Sequence, residues 1–460
     1  MKGTSFRLFG TSGIRGVVNA ELNPAVAMRL GMALSSVLEG KQIVTARDTR
    51  TTGQMLTSAF SAGAMSRGLH VTDLGVAPTP VLAYLVKALG AASGAMVTAS
   101  HNPPEFNGIK LFDAAGKAYG DTLQGQIERI LNSENLVCNS WDQLGEISSA
   151  DHSIRIQYLE MILRRINLGK RWRVALDFGS GAAYSVGLNL LRSLDCQIVC
   201  LNAQPDGHFP GRSPEPTVES LSALATAVKG MDCDIGLAYD ADADRVSIID
   251  ERGNFVDGDV ALAAFASYML RRRCRGVVIL PIDASLAVQE AVEKSGGHVA
   301  WTKVGDANIA EAIEIKKAIF GGEPCGAWIH PAFHLCPDGI LSSVLVLKAL
   351  EEQETTASGF FSGIKKYPMK RGKIQCREDA KVNAMNKIVS RLPTAVGEIV
   401  EVTEIDGIRV QVPEGWVLVR ASGTEPAIRI TVEARSIEWA EHLFNTTYKL
   451  CSEVVRESRN

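Results

Sequence analysis

Three acidic residues at alternate positions, Asp240, Asp242 and Asp244, follow the apolar run 235–238 and precede Arg245. Carboxylates this close repel one another unless a cation lies among them. An all-oxygen set selects a hard cation, Mg²⁺ first and Ca²⁺ or Mn²⁺ after it. The spacing also begins like a calcium-binding loop, with Glu251 at its twelfth position. Arg245 stands where that loop needs glycine, and 246–249 is strand-like where it would still be turning. An enzymatic Mg²⁺ site is therefore favoured.

Residues 98–103, Thr-Ala-Ser-His-Asn-Pro, place Ser100 and His101 just beyond a predicted strand, and Asn107-Gly108-Ile109-Lys110 follows. Such a string is commonly only a polar turn. Its chemical reading is a nucleophilic or phosphate-carrying serine, with His101 or Lys110 as proton handler or charge clamp. No Gly-x-Ser-x-Gly elbow surrounds Ser100, which disfavours a hydrolase triad.

Three further segments carry polar chemistry. Residues 420–426, Arg-Ala-Ser-Gly-Thr-Glu-Pro, with Arg429 beyond, hold the inventory of an anion-binding turn: Arg420, Ser422, Gly423, Thr424 and Arg429. A surface turn with a salt bridge is the plainer alternative. In 321–326, Gly-Gly-Glu-Pro-Cys-Gly, the glycines permit close ligand approach and Glu323 can accept hydrogen bonds from sugar hydroxyls. A simple Gly-rich turn is about as good a reading. Cys325 has no activating neighbour in the sequence and is not read as a nucleophile. In 9–16, Arg15 and the glycines suit a phosphate-facing loop, against the alternative of an N-terminal turn.

The elements that must position these residues alternate along the chain. Short β-type runs at 43–46, 69–74 and 94–98 are separated by helical stretches at 54–67 and 79–89. The pattern restarts with a strand at 173–178, helix 182–193, a strand at 196–201, helix 218–228 and a strand at 234–238. It restarts again with helix 259–273, then strands at 276–280, 298–302 and 318–321 separated by helices 285–294 and 307–316. This alternation predicts right-handed crossovers on mixed or largely parallel sheets. The tail reads differently: helix 382–391, strands at 399–404, 408–412, 416–420 and 428–434, and a closing helix 437–455, an α+β pattern. Boundaries fall near Ala150, Glu251 and Tyr367, giving units 1–150, 151–251, 252–367 and 368–460. No strict sequence period relates the three alternating blocks.

Composition narrows the class. The 460 residues carry 48 Lys+Arg and 51 Asp+Glu, and a net charge of −3 offers no basic field for nucleic acid or anionic membrane. Nine cysteines, with no C-x-x-C pair, read as thiols in a reducing compartment rather than a disulfide framework. No run reaches the ~18 uninterrupted apolar residues of a spanning helix. The expectation is a soluble, cytoplasmic, multidomain enzyme. One site would transfer a phosphoryl group, a second would grip a phosphate that is not reacting, and a third would read what lies between.

Taken together and in this order, the motifs resemble those of the α-D-phosphohexomutases over essentially the whole chain. Residues 9–16 are similar to the family's N-terminal Gly-Thr-x-Gly-x-Arg loop, 98–103 to its phosphoserine loop, and 240–245 to its metal loop. Residues 322–326 resemble its sugar loop and 420–429 its phosphate loop. The segments 177–183 and 205–210 add lesser agreement. The resemblance implies three similar α/β domains with mixed sheets plus a C-terminal α+β, TATA-binding-like domain around a central cleft.

It also implies a mechanism. Phosphorylated Ser100 gives its group to a hexose monophosphate, and a hexose 1,6-bisphosphate turns over and returns the other phosphate. Ser100, Asp240, Asp242 and Asp244 hold Mg²⁺; Arg245, Arg15 and Lys110 stabilise charge, and Lys110 or His101 assists proton transfer. Glu323 and Cys325 contact the sugar, and Arg420, Ser422, Gly423, Thr424 and Arg429 hold the non-reacting phosphate. The partner is a hexose or hexosamine phosphate, with neither nucleic acid nor membrane, on a monomer or homodimer.

Two departures bear on specificity. Ala241 replaces the glycine of the usual Asp-Gly-Asp, and the sugar loop lacks the usual Ser and His of Gly-Glu-x-Ser-Gly-His. Residues 304–306, Val-Gly-Asp, and the run 323–328, Glu-Pro-Cys-Gly-Ala-Trp, resemble phosphoglucosamine mutases of archaeal type, and Asp306 suits an ammonium group. The rivals are a phosphoglucomutase/phosphomannomutase of broad specificity and a silent sugar-phosphate sensor. Retention of Ser100 and all three Asp argues against the sensor.

Overall fold

The computed structural model describes residues 9–458 apart from 11–12, 134–135, 274 and 423–425. Among the expected site residues, Gly423 and Thr424 therefore lie outside the described residues, as do Thr11, Ser12 and Glu425 of the same motifs.

Short apolar runs become strands, and three sheets share one plan. In the first, Gln42–Arg47 lies between His70–Val76 and Ser93–Val97, parallel to both, and Phe106–Asp113 returns antiparallel beside Ser93–Val97. In the second, Arg173–Asp177 lies between Gln197–Leu201 and Ile235–Tyr239, with Val246–Asp250 returning. The third has Val277–Pro281 between His298–Thr302 and Phe320–Gly322, with Trp328–Ile329 returning. The first sheet gains Phe9–Gly10 and Gly13–Val17 at one edge and Ile147–Ser149 at the other. These are mixed sheets, and the repeat lies in strand order rather than in residue identity.

The repeat places the chemistry. In each unit the turn from the third strand to the antiparallel fourth carries a candidate motif: Ser100 in the first, the three Asp in the second, Glu323 and Cys325 in the third. Each turn contains a left-handed residue, Ser100 at φ 51°, Ala243 at φ 58° and Gly326 at φ 88°. For the two that bear a Cβ this conformation costs on the order of 1–3 kcal/mol, which surrounding contacts must offset. Gly326 is required on two counts, since a Cβ there would lie 2.1 Å from the Val246 carbonyl oxygen.

Helix and strand ends agree with the sequence pattern within a few residues, with one clear exception. Residues 218–221, expected helical, form a turn before helix Ser222–Gly230. The Ser220 Oγ donates to the Thr217 carbonyl at 3.1 Å, a local bond that competes with the helical ladder. The helices Pro24–Ser35, Asp121–Asn132 and Gly339–Glu352 and the strand Met369–Gln375 were not anticipated.

The tail forms a five-stranded antiparallel sheet, in order Met369–Gln375, Ala427–Ala434, Gly415–Ala421, Ile408–Val412 and Glu401–Thr403. Helices Lys381–Ala395 and Ile437–Glu457 cover one face around Val417, Val419, Ile430 and Leu443. The opposite face carries Trp416, Leu418 and Arg420 on one strand, facing Glu433, Thr431 and Arg429 on the next. Trp416 and Leu418 bury against Ile282, Leu286 and Ala287 of the third unit. The first three units share one continuous apolar core that runs through Val81, Tyr158, Trp172, Phe265 and Leu347. Among the described residues, no helix is long and apolar enough to cross a membrane.

Candidate active site

Ser100 stands at the junction of the first two units. Its Oγ donates to Asp240 Oδ2 at 2.6 Å, and His101 Nδ1 lies 3.3 Å from Ser100 Oγ. Lys110, on the returning strand Phe106–Asp113, sets its buried Nζ 2.9 Å from Asp242 Oδ2 and 2.6 Å from Asp244 Oδ2. Thr79 Oγ1 donates to Asp242 Oδ2 at 2.5 Å. Arg15 donates to Asn102 Oδ1 at 3.1 Å, and Arg245 Nε lies 3.8 Å from Asp244 Oδ1. The four residues expected to handle charge or protons beside the serine, Arg15, His101, Lys110 and Arg245, thus gather at the group formed by buried Ser100 and the three Asp.

The carboxylate trio fits a hard cation. Ligand oxygens of Asp240, Asp242 and Asp244 lie within 4.8 Å of one another, and all three side chains are buried. Asp242 Oδ1 and Asp244 Oδ1 are buried and make no hydrogen bond among the described residues, so two acceptor oxygens are left for an electrophile. Burial, then the other two Asp, push the Asp240 carboxyl well above its ordinary range. Burial would raise Asp242 too, but the Lys110 charge together with the hydrogen bonds from Lys110 and Thr79 holds the group below its ordinary range. Burial, then the Arg245 and Arg15 charges, lower His101 to about 3.

The turn bearing Ser100 is held by Arg50, which sequence reasoning missed. Its buried guanidinium fills a cage of five acceptors, matching its five N–H donors. Nη2 donates to the carbonyls of Ser100 at 2.8 Å and Asn102 at 2.6 Å. Nη1 donates to those of Pro103 at 2.5 Å and Phe106 at 3.0 Å, and Nε to Asp48 Oδ2 at 3.1 Å. Thr98 Oγ1 donates to the same Asp48 oxygen at 2.7 Å and accepts the Ser100 N–H at 2.9 Å. Phe209 of the second unit stacks on Arg50 at 5.1 Å. Gly207 beside it allows that packing, because a Cβ there would be 2.4 Å from the Thr51 nitrogen. The sequence signal was an acid and an arginine, Asp48-Thr49-Arg50, directly after an apolar run.

The sugar loop forms a second group. Glu323 Oε1 accepts the Gly305 N–H at 3.0 Å, which draws it to Asp306 at the start of helix Asp306–Lys316. Cys325 Sγ lies 3.8 Å from Glu323 Oε2 on an exposed side chain. Burial lifts Glu323 to about 7, against the opposing Arg245 charge and the Gly305 N–H, with Asp306 and Asp283 adding to the rise.

The third group is on the fourth unit. Arg420 and Arg429 are directly opposite across two strands, and Lys373 is opposite Arg429, so three basic side chains leave one face in a row. Arg420 Nη1 pairs with Asp406 at 3.1 Å. Ser422 N donates to the Ala427 carbonyl at 2.9 Å, and Lys381 Nζ donates to the Ser422 carbonyl at 2.7 Å. Lys373 and Lys381 were not anticipated, since neither lies near the motif in sequence.

A serine set against buried carboxylates, with an acidic reading loop and a basic row on separate units, defines a phosphoryl-transfer enzyme. The chain belongs to the phosphoglucomutase/phosphomannomutase family: its alpha/beta/alpha domains I, II and III match residues 7–137, 156–253 and 257–367, and its C-terminal domain matches 372–450. Members are phosphohexomutases, intramolecular phosphotransferases of the isomerase class. The chain is 41% identical over 455 residues to a "Probable phosphoglucosamine mutase" of Methanopyrus kandleri, covering 98% of this chain and all of that one. It is 40% identical over 452 residues to a protein of the same name from Pyrococcus abyssi, covering 98% and 99%. A crystal structure of a phosphoglucomutase/phosphomannomutase family protein from Burkholderia thailandensis superposes with a TM-score of 0.86 at 28% identity, covering 97% of each chain.

Proposed function

We propose that the protein is a phosphoglucosamine mutase of the cytoplasm, interconverting glucosamine 6-phosphate and glucosamine 1-phosphate through phosphorylated Ser100 and a 1,6-bisphosphate. The observation that carries the reading is Ser100 Oγ at 2.6 Å from Asp240, within the three-Asp group and beside Lys110, Arg15 and Arg245. The amino-sugar preference is supported by full-length likeness to relatives of that name and by Asp306 beside Glu323.

Asp240, Asp242, Asp244 and the serine phosphate would hold Mg²⁺, which when bound neutralises charge on the phosphoryl group. In the first half-reaction a sugar hydroxyl oxygen bonds to phosphorus as the bond to Ser100 Oγ breaks. The hydroxyl proton passes to Ser100 Oγ by way of His101 or Lys110. Arg15 and Arg245 spread the transferring charge over fixed guanidinium donors. The second half-reaction reverses these changes with the other phosphate of the turned bisphosphate. Arg420, Ser422, Gly423, Thr424 and Arg429 hold whichever phosphate is not reacting, and Glu323 with Cys325 meets the sugar between. Units 1–150, 151–251, 252–367 and 368–460 supply, in turn, the Arg15 and Ser100 loops, the metal loop, the sugar loop and the phosphate loop.

A phosphorus NMR competition tests this. Glucosamine 6-phosphate, glucose 6-phosphate and mannose 6-phosphate are offered at equal concentration with Mg²⁺ and a trace of hexose 1,6-bisphosphate. Glucosamine 1-phosphate should form fastest. Comparable turnover of the neutral sugars would replace the proposal with a broad phosphohexomutase.

A further inference from the structure

The metal turn, like the serine turn, is held by its carbonyls, and its donors come from three units. Arg212 Nη2 donates to the Tyr239 carbonyl at 2.6 Å, and the Ala243 N–H to that of Asp240 at 3.2 Å. The N–H groups of Ala182, Thr79 and Gly339 donate to the carbonyls of Ala241, Asp242 and Ala243 at 2.8, 2.9 and 3.1 Å. Those three residues begin helical segments, where backbone donors lack intrahelical partners. Thr79 belongs to the first unit, Ala182 to the second and Gly339 to the third. Every carbonyl from Tyr239 to Ala243 is thus engaged, and the turn offers a cation its side-chain oxygens.

Of these donors only Arg212 is a side chain, and it has no role in the reading above. It is buried, with Nε 3.0 Å from Asp177 Oδ2 and Nη1 donating to the Ser213 carbonyl at 2.9 Å. Asp177 ends the strand Arg173–Asp177 and lies in register with Ala238, the residue before Tyr239. Its Oδ1 accepts from the Gly179 N–H at 2.8 Å and from Asn202 Nδ2 at 3.0 Å. The fit around the guanidinium is close, since a Cβ on Gly179 would lie 2.7 Å from Arg212 Nη2. The first unit has the same plan: Asp48, just past the central strand, orients Arg50 onto the carbonyl of Ser100. One loop of the second unit serves both cages. Its Phe209 stacks on Arg50, and its Arg212 reaches the metal turn.

The carboxylates make such a cage necessary. Without a cation, three buried Asp drive the turn apart, and Ala243 within it is left-handed at φ 58°. We infer that Arg212 is the positioning residue of the metal turn: oriented by Asp177, it holds Asp240, Asp242 and Asp244 at the spacing a cation needs, as Arg50 holds Ser100. The cost of gathering the charges is then met in folding and not at each binding event. The segments 177–183 and 205–210, which resembled the family without a task, flank this device. The inference rests on the three Asp as metal ligands and is independent of which sugar is preferred.

Mn²⁺ titration followed by electron paramagnetic resonance tests it without turnover, in full-length proteins matched by mass spectrometry for phosphate on Ser100. Arg212→Lys keeps the charge but not the planar fork. It should weaken Mn²⁺ about tenfold to a hundredfold, the usual cost of losing an outer support of a metal site. Asn202→Gly removes the amide that holds Asp177 and suits the left-handed backbone there, at φ 49°. It should weaken Mn²⁺ in the same sense by about threefold. Arg50→Lys, which disturbs a comparably buried guanidinium at the serine turn, should leave Mn²⁺ affinity within about twofold. Wild-type affinity in Arg212→Lys would overturn the role of Arg212, as would wild-type affinity in Asn202→Gly should the first variant not fold. So would an equal loss in Arg50→Lys, which marks a general loosening between units. A wild-type protein that binds no Mn²⁺ would instead remove the metal reading itself, and this inference with it.

Discussion

The junction between the first and second units differs in kind from that between the third and fourth. At the first, polar bonds cross the boundary at short range: Ser100 to Asp240, Thr79 to Asp242, Lys110 to two Asp, with Phe209 under Arg50. At the second, Trp416 and Leu418 rest on Ile282, Leu286 and Ala287, and Arg409 lies between Trp301 at 4.1 Å and Trp416 at 4.7 Å. Two carboxylates fasten it: Glu433, which accepts from Ser285 Oγ at 2.5 Å, the Leu286 N–H at 2.7 Å and Trp416 Nε1 at 2.9 Å, and Glu290, whose Oε1 lies 2.8 Å from Arg435 Nη2. Directional bonds fix the reacting end to within tenths of an ångström, as charge stabilisation demands. An apolar dock with its polar ties at the edge tolerates rotation, as an end that must release and recapture a turning intermediate demands.

The contrast can be broken from either side. Stripping divalent metal with excess chelator should take turnover to background, and Mg²⁺ should restore it; full activity in chelator would remove the role given to the three Asp. Arg50→Lys keeps the charge but supplies three donors where five are used. It should lower kcat by about 10²-fold with little change in KM, because the loop is misplaced while the grip is intact. A rise in KM alone would show that Arg50 is not a positioning residue for Ser100. Trp416→Ala should cost about 3–5 kcal/mol of stability, read by denaturant unfolding, and raise KM several-fold with phosphoserine formation preserved. An unchanged KM would mean that the fourth unit's dock does not govern substrate capture.

The two junctions were also unequally legible in the sequence. The chemistry at Asp240, Asp242, Asp244 and Ser100 was plain because repelling carboxylates and a polar turn after a strand are local patterns. The cage around Arg50 was not, since its four carbonyl acceptors lie some fifty residues away and carry no sequence signal. Trp416 and Glu433 look in sequence like ordinary alternating strand residues, and only the third unit's position shows that their face is covered. The threefold repeat was suggested by the alternating blocks and by the family resemblance but by no sequence period, because it is kept in strand order and in the left-handed turns at Ser100, Ala243 and Gly326, while the residues diverged to carry different tasks.

The most direct test is whether Ser100 carries the phosphoryl group. Incubating wild-type protein with a hexose 1,6-bisphosphate and Mg²⁺, then mapping peptides by mass spectrometry, should show one added phosphoryl group on Ser100. Ser100→Ala should show none anywhere, should turn over no sugar phosphate, and should still bind one. Wild-type-like turnover by Ser100→Ala, or a phosphoryl group found on another residue, would contradict the assignment of the reacting end.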